Sequence, residues 1–223
     1  MNKKVCALII ARGASKRIKN KNIIKINSKP VIYFTASQLN NSKKINKIFV
    51  MTDSKLIKSE VKKLKIKKIE VIGRSKKSAT DSAQSEVAIS EFVNKYDYDV
   101  IYFVQLTNIF LTTNDINNSL NHYFKNKFDS LLSVIESDKF IWRKKNNKIT
   151  PSNYHLKKRP LSKKLKDRYL LENGSFYIFS SKGFKKHQIR LFDKIGYYLM
   201  GKETYFDIDD LDDLRIATKL ITS

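Results

Sequence analysis

Few residues in this 223-residue chain are of the kinds that cross-link or break a fold: one cysteine, three prolines and six glycines. A lone thiol excludes an intrachain disulfide framework, and Cys6 stands in an apolar run. We read it as a buried thiol of a reducing, cytoplasmic compartment. Of the three histidines, neither His122, His155 nor His187 has metal-ligand spacing or a nucleophile partner pattern. No segment approaches the roughly 20 apolar residues needed to span a bilayer. The run Val5–Ala11 is too short for a secretory leader and stops at Arg12, so neither export nor membrane partnership is expected. Acids are scarce as well: 21 against 45 Lys and Arg, a net charge of +24. Such a balance asks for an anionic partner. Nucleic-acid interfaces concentrate arginine with interleaved aromatics on one face. Here only eight of the 45 cations are arginine and the lysines are spread along the chain, so nucleic acid is not the expected partner.

What is present suits one α/β domain: 41% hydrophobic and 30% charged residues over a length sufficient for a sizeable core. Short β-branched runs at Lys4–Ile10, Lys47–Met51, Lys68–Ile72, Val100–Gln105 and Ser130–Ile135 predict strands. Amphipathic stretches near Pro30–Asn40, Lys55–Leu64, Ser82–Tyr96 and Thr113–Phe124 predict the helices between them. That alternation implies a Rossmann-like, mostly parallel sheet with helices on both faces. Residues 137–171 break the pattern, being Lys-rich with two of the three prolines, and read as an extended arm that covers a site or reaches a second subunit. A strand at Ser175–Phe179, a short helix at Ser181–His187, a strand at Ile195–Met200 and a helix at Asp209–Leu220 complete the single domain, 1–223.

In parallel sheets ligands bind beyond the carboxyl ends of strands, and Arg12, Asp53, Arg74 and Gln105 all fall there. The loop after the first strand, Arg12-Gly13-Ala14-Ser15-Lys16-Arg17-Ile18-Lys19-Asn20-Lys21-Asn22, joins one glycine to a cluster of long cations. Backbone N–H groups and cationic tips of this kind can wrap a triphosphate, though a basic surface turn has the same composition. Near the other end, Asp207 and Asp209 lie on one side of an extended stretch and could hold a hard cation such as Mg²⁺. They also read as members of the helix-capping cluster that Asp210, Asp212 and Asp213 form. Between Arg74 and Glu86 a polar loop opens a helix, for which Asp81 or Ser82 would be the N-cap. Gln105-Leu106-Thr107-Asn108 ends the most apolar strand in polar groups that need partners.

Six segments, in order along essentially the whole chain, resemble the cytidylyltransferases that activate 3-deoxy-2-keto sugar acids, the CMP-sialic acid synthetase group. Ala11–Asn22 (ARGASKRIKNKN) resembles that family's A-R-G-G-S-K-R-I-x-x-K-N. Arg74–Glu86 resembles R-P-x-x-L-A-x-D-x-A-x-S, with Ser75 at the proline. Gln105–Ile116 resembles Q-P-T-S-P-L-R-T-x-x-D-I, Asp129–Glu136 matches D-S-V-V-S-V-x-E, Glu172–Phe179 resembles E-N-G-A-x-Y-I, and Phe206–Asp209 resembles x-D-I-D. The resemblance implies a homodimer that uses CTP and Mg²⁺ to attach CMP to a keto sugar acid, a step in surface polysaccharide biosynthesis. It implies that Arg12, Lys16 and Lys21 bind triphosphate, with Ala11, Gly13, Ser15 and Asn22 in the same loop. Arg74 and the turn Ala79, Thr80 and Ser82 would lie near the nucleotide. Asp207 and Asp209 would hold the metal, and Arg12, Lys21 and Asp209 are the catalytic candidates. Gln105, Thr107, Asn173 and Tyr177 would face the sugar acid, joined by Arg143 and Arg159 of the arm. The arm departs from the family's P-R-x-Q-D at Arg159-Pro160-Leu161-Ser162-Lys163, and Leu111 replaces an arginine. Eight- and nine-carbon acids both remain open, as do a different nucleotidyltransferase of this architecture and a non-catalytic basic nucleotide- or nucleic-acid-binding protein.

Overall fold

A computed structural model describes residues 3–13, 18, 20–165 and 168–222 of the chain. Its first half alternates strand and helix: β1 (Val5–Ile10), the short pair β2 (Lys25–Ile26) and β3 (Lys29–Pro30), α1 (Val31–Asn41), β4 (Lys47–Met51), α2 (Lys55–Lys63), β5 (Ile69–Ile72), α3 (Ser85–Lys95) and β6 (Val100–Val104). There follow α4 (Thr113–Lys125), β7 (Ser130–Ser137), the hairpin β8 (Trp142–Lys145) and β9 (Lys148–Pro151), β10 (Tyr169–Ser180), α5 (Ser181–His187), β11 (Ile195–Leu199) and α6 (Leu211–Thr222).

Seven strands form one sheet in the order β11-β7-β10-β6-β1-β4-β5. β6, β1, β4 and β5 run parallel, as do β7 and β11. Only β10 opposes its neighbours, pairing antiparallel with both β6 and β7. The reason is connectivity. β7 and β10 are the two legs of one long hairpin whose tip is the arm, and a hairpin return is antiparallel whereas a helical crossover is parallel. The arm expected at 137–171 is thus a β8–β9 hairpin and its flanks, inserted between two sheet strands.

Period-two side chains divide the core between the two faces of the sheet. Ala7 and Ile9 of β1, Ile48 and Val50 of β4, and Tyr102 and Val104 of β6 pack with Ile32 and Leu39 of α1, Ile57 of α2 and Leu120 of α4. On the opposite face Cys6, Leu8, Phe49, Ile101 and Phe103 meet Ile89 and Phe92 of α3 and Phe184 of α5. Every residue of β6 is buried, as expected of the most apolar strand in the sequence. Burial also drives the Cys6 thiol far above the usual thiol range, which leaves it inert.

Local chemistry sets the helix starts. Ser54 caps α2, accepting from Ile57 N at 3.3 Å. Thr112 and Asp115 form a reciprocal capping box on α4. Asp210 caps α6 by accepting from the backbone of Asp212 and Asp213, each at 2.9 Å, as the capping reading expects. The cap of α3 does not follow the sequence reading. Gln84, not Asp81 or Ser82, stands there without a side-chain cap, and Asp81 instead pairs with Arg12.

Gly183 lies in α5, capped by Ser180, where an added Cβ would overlap the ring of the buried Phe192. Alanine gains about 1 kcal/mol of helix propensity over glycine, whereas overpacking a core costs about 1–3 kcal/mol. Overpacking is expected to win, so Gly183→Ala should lower the urea midpoint without changing the slope of the transition. A midpoint at or above the wild-type value would show that Phe192 moves aside at no cost.

Candidate functional site

Parallel strands place their carboxyl ends on one edge, and the loops leaving β1, β5 and β6 enclose a cleft of about 300 Å³ there. Its wall includes Arg12, Lys21, Asn22, Arg74, Thr80, Gln105 and Thr107, seven of the residues nominated from sequence. Ile10, Ala83, Ser85, Phe103, Val104 and Leu106 complete it and were not nominated. No pattern in a single sequence distinguishes an alanine or a serine that lines a cleft from one that does not.

Each long cation at the cleft has a carboxylate nearby. Arg12 Nη1 pairs with Asp81 Oδ1 at 3.0 Å, both side chains partly exposed. Lys21 Nζ pairs with Asp209 Oδ1 at 2.9 Å, with Lys21 only 14% exposed and Asp209 48%. This contact joins residues 188 positions apart and brings the loop after β1 to the acidic segment before α6. Arg74 is half-buried, and desolvation lowers its pKa while Asp53 and Glu91 hold it charged. Asp53 Oδ1 also accepts from Gly13 N at 3.0 Å, and a Cβ on Gly13 would meet Ser54 Cβ at 2.9 Å, so close approach requires glycine here. Asn22 Nδ2 donates to the Arg12 carbonyl at 3.0 Å and shapes the same turn. Ser15 and Lys16 lie outside the described residues.

Asp207 is the most unusual acid. Burial pushes its carboxyl above the ordinary range, opposed by a Thr107 hydrogen bond and the charge of Lys21 and reinforced by Asp209. Its Oδ1 is buried with no hydrogen-bond partner among the described residues. A buried oxygen without a donor suits a hard cation, which takes oxygen ligands. Asp207 and Asp209 therefore fit a Mg²⁺ whose remaining ligands come from phosphate and water, as is usual for that ion. Among the described residues no group of three or more His, Cys, Asp or Glu forms a complete protein cage.

Other nominated residues sit elsewhere. Ala11 is fully buried with its N–H on Met51 O, behind the cleft. Ala79 is held by its N–H to Ser75 O and Lys76 O, and Ser82 is exposed, so the turn meets the cleft through Thr80 and Ala83. Asn173 is spent internally: its Nδ2 donates to Thr204 Oγ1 at 2.8 Å and its Oδ1 accepts from Ser175 N at 3.3 Å. Gly174 beside it has φ +65°, and a Cβ there would stand 3.4 Å from Gln105 Oε1. Tyr177 is buried off the cleft wall, its ring stacked on Phe103 and its hydroxyl on Glu172. Arg190, not nominated, covers that ring at 4.8 Å and forks onto Glu86 at 2.7 and 3.0 Å. Arg143 is exposed on β8, and Arg159 stacks over Phe140 at 4.3 Å. Neither arm residue reaches the cleft of its own chain wall.

The family model described as Cytidylyltransferase matches residues 6–217. N-acylneuraminate cytidylyltransferase B of Danio rerio is 32% identical over 212 residues, which cover 92% of this chain and 49% of that protein. The chain thus spans about half the length of such relatives. Pseudaminic acid cytidylyltransferase of Campylobacter jejuni is 26% identical over 227 residues, 96% of this chain and 94% of the relative. Among solved structures, a CMP:2-keto-3-deoxy-manno-octonic acid synthetase complexed with CTP superposes with a TM-score of 0.74 at 15% identity, covering 98% of both chains, and so shares the fold.

Because folding raises the Asp207 pKa, the native state holds that proton more tightly than the unfolded chain does. Ionising it costs stability as pH climbs through the window above the ordinary carboxylate range. Without divalent metal, Asp207→Asn should therefore melt at or above the wild-type temperature near neutral pH, with the gap closing as pH falls toward about 4. A variant that melts lower near neutrality would show that the carboxylate is stabilising and the desolvation argument wrong.

Proposed function

The chain belongs to the cytidylyltransferase family, and we propose that it transfers CMP from CTP to the anomeric hydroxyl of a 2-keto-3-deoxy sugar acid, releasing pyrophosphate. The observation that carries this reading is the Lys21–Asp209 pair, which joins the basic loop after β1 to the two acids near α6 at one cleft. In the proposed reaction the anomeric oxygen forms a bond to the α-phosphorus, the bond from that phosphorus to the β-phosphate bridging oxygen breaks, and the hydroxyl proton is released. Such transfers need positioning and charge stabilisation more than covalent help from the protein.

Arg12, Lys21 and Arg74 are suited to grip the phosphates, with Asn22 holding the loop and Ser15 and Lys16 assigned to the same task. Lys21 and Arg12 would offset the charge that builds on the departing pyrophosphate. Thr80, Ala83 and Ser85 form the wall against which the nucleoside would rest, and Gln105 and Thr107 offer an amide and a hydroxyl to the acceptor. Asp207 and Asp209 would hold Mg²⁺, which when bound neutralises phosphate charge and acidifies a nearby hydroxyl. The relatives above are named for N-acylneuraminate and for pseudaminic acid, which supports a sialic-acid-like keto acid as acceptor. A cytoplasmic role supplying surface polysaccharide synthesis accords with the buried free thiol, and no helix among the described residues is long and apolar enough to cross a membrane.

We further assign Arg143 and Arg159 to the acceptor of a second copy, which makes the active form a homodimer. The arm and the edge strand β11 support this, since Trp142, Ile149, Leu170, Ile195, Tyr197 and Leu199 all expose large apolar side chains.

Pyrophosphate release measured with each of four NTPs and a panel of eight- and nine-carbon keto acids is expected to need CTP and one acid class. Release with no acid, or with another NTP alone, would remove the reading. Asp209→Ala should lower turnover by about 10²–10³ while the apparent CTP affinity changes far less, and unchanged turnover would end the metal assignment. Sedimentation equilibrium should give twice the 26.0 kDa chain mass. An active monomer would instead leave Arg143 and Arg159 without a role.

A further inference from the structure

The loop that carries Arg74 is fastened from behind. Between β5 and α3 the chain makes a turn in which Ser78 N donates to Ser75 Oγ at 3.1 Å and Ala79 N to Ser75 O at 3.2 Å. Ser78 is fully buried although its side chain is polar. The group that receives this turn is Glu91 on α3, which does not line the cleft and opens instead on the opposite side of the loop. Its carboxylate accepts from Ser75 N at 3.2 Å, Ser75 Oγ at 2.5 Å and Ser78 Oγ at 3.2 Å. The same Ser78 Oγ accepts from Arg74 Nε at 3.4 Å. A continuous set of polar contacts thus runs from the helix, through two serines, to the half-buried guanidinium at the cleft wall.

Resting on the nucleotide-binding reading above, we propose that Glu91 is a positioning residue for Arg74, fixing the direction in which the guanidinium meets the phosphates of CTP. The chemistry asks for a carboxylate at this point. Donors from Ser75 and Ser78 converge on it, and a carboxylate accepts from all of them while also carrying the charge that faces Arg74. A carboxamide of the same shape would turn an NH₂ toward one of those donors. Charge works in the same direction, since Glu91 behind the loop and Asp53 beside it are the two acids that hold the desolvated Arg74 charged, against the opposing effect of Arg12. Burial alone would raise the Glu91 pKa, but the hydrogen bonds from Ser75 and Ser78 and the charge of Arg74 outweigh it and keep the carboxyl ionised. Loss of that ionised group would free the loop to pivot and let the guanidinium swing off the cleft.

The test is a double-mutant cycle read by calorimetric titration of CTP, with a thermal melt of each protein. Glu91→Gln should weaken CTP binding by about tenfold, and in an Arg74→Ala background it should add less than about twofold. Ser75→Ala, a change at an exposed residue that leaves the carboxylate in place, should give a smaller loss with the same dependence on Arg74. It decides the matter alone should Glu91→Gln fail to fold. A merely structural role would instead lower the melting temperature and leave the CTP loss intact when Arg74 is absent, overturning the proposal. Wild-type binding of CTP with an unchanged Glu91→Gln affinity would also overturn it, while leaving the nucleotide reading in place. A wild-type chain that binds no CTP would remove that reading and this inference together.

Discussion

Repulsion among cations is the constraint around which this molecule is arranged. With 45 basic and 21 acidic residues, and with Arg12, Lys21 and Arg74 brought to one edge of a parallel sheet, the cleft concentrates like charge. The fold meets this by spending scarce acids there: Asp81 on Arg12, Asp209 on Lys21, and Asp53 with Glu91 around Arg74. These are partly exposed contacts, and such ion pairs contribute only about 0–1 kcal/mol each. That small magnitude has a consequence for binding. A polyanion could exchange places with the Asp81 carboxylate at little cost, because the pair is weak while Arg12 is already turned to the cleft. Preorganised charge of this kind is what a phosphate site requires.

The acids near α6 reach the cleft because the segment before them is tied down by side chains that look like ligand groups. Thr204 accepts at its hydroxyl from Asn173 and at its carbonyl from Asn108, and Ile208 N donates to Thr107 O at 3.4 Å. Asn173, nominated from the sequence to face the acceptor, is therefore a strut between β10 and the residues that precede Asp207. Its neighbour Gly174 adopts a positive φ and stands against Gln105, so the turn that carries the strut also forms the back of the cleft. The antiparallel insertion of β10 next to β6 is what places this strut within reach. A parallel strand in that position would present its opposite end.

The fold was legible where side-chain periodicity and apolar run length agree. β4 and α5 match the expected ranges residue for residue, and β1, β5 and β6 differ by a residue at an end. Two features were not legible, both for the same reason. Contacts between residues far apart in sequence bear on both: pairing with β7 sets the direction of β10, and Asp81 is found on Arg12 rather than at the start of α3. Asp81 fits the local pattern of a cap, yet α3 begins at Ser85 with Gln84 at the cap and Asp81 on Arg12, 69 residues away. The cleft itself was legible because strand ends in a parallel sheet share an edge whatever their separation along the chain. Clusters off that edge, such as Arg190 over Tyr177 with Glu86, were not legible, because Tyr177 and Glu86 fall in quoted motifs but nothing there points to Arg190.

The two halves of the cleft differ in kind. Most nominated nucleotide groups among the described residues (Arg12, Lys21, Asn22, Arg74 and Thr80) lie on the wall of one chain, on loops that leave β1 and β5, whereas Ala79 and Ser82 do not. Of the groups nominated for the acceptor, only Gln105 and Thr107 lie on that wall. Asn173 and Tyr177 have their polar atoms engaged within the chain, by Thr204 and Glu172. Arg143 and Arg159 lie on the arm, where the Phe140 ring already holds the Arg159 guanidinium. Burying an acidic sugar against two neutral groups would leave its carboxylate without a cation, and an unpaired buried charge is strongly disfavoured. On the proposed reaction the missing cation must come either from Arg74 and Lys21, already committed to phosphate, or from outside the chain. The exposed hairpin, with Arg143 and Lys145 opposite Thr150 and Lys148, carries cations that could serve this role. On the proposed function, acceptor recognition would then draw on the arm of a second copy, as the resemblance of Arg143 and Arg159 to the family implies.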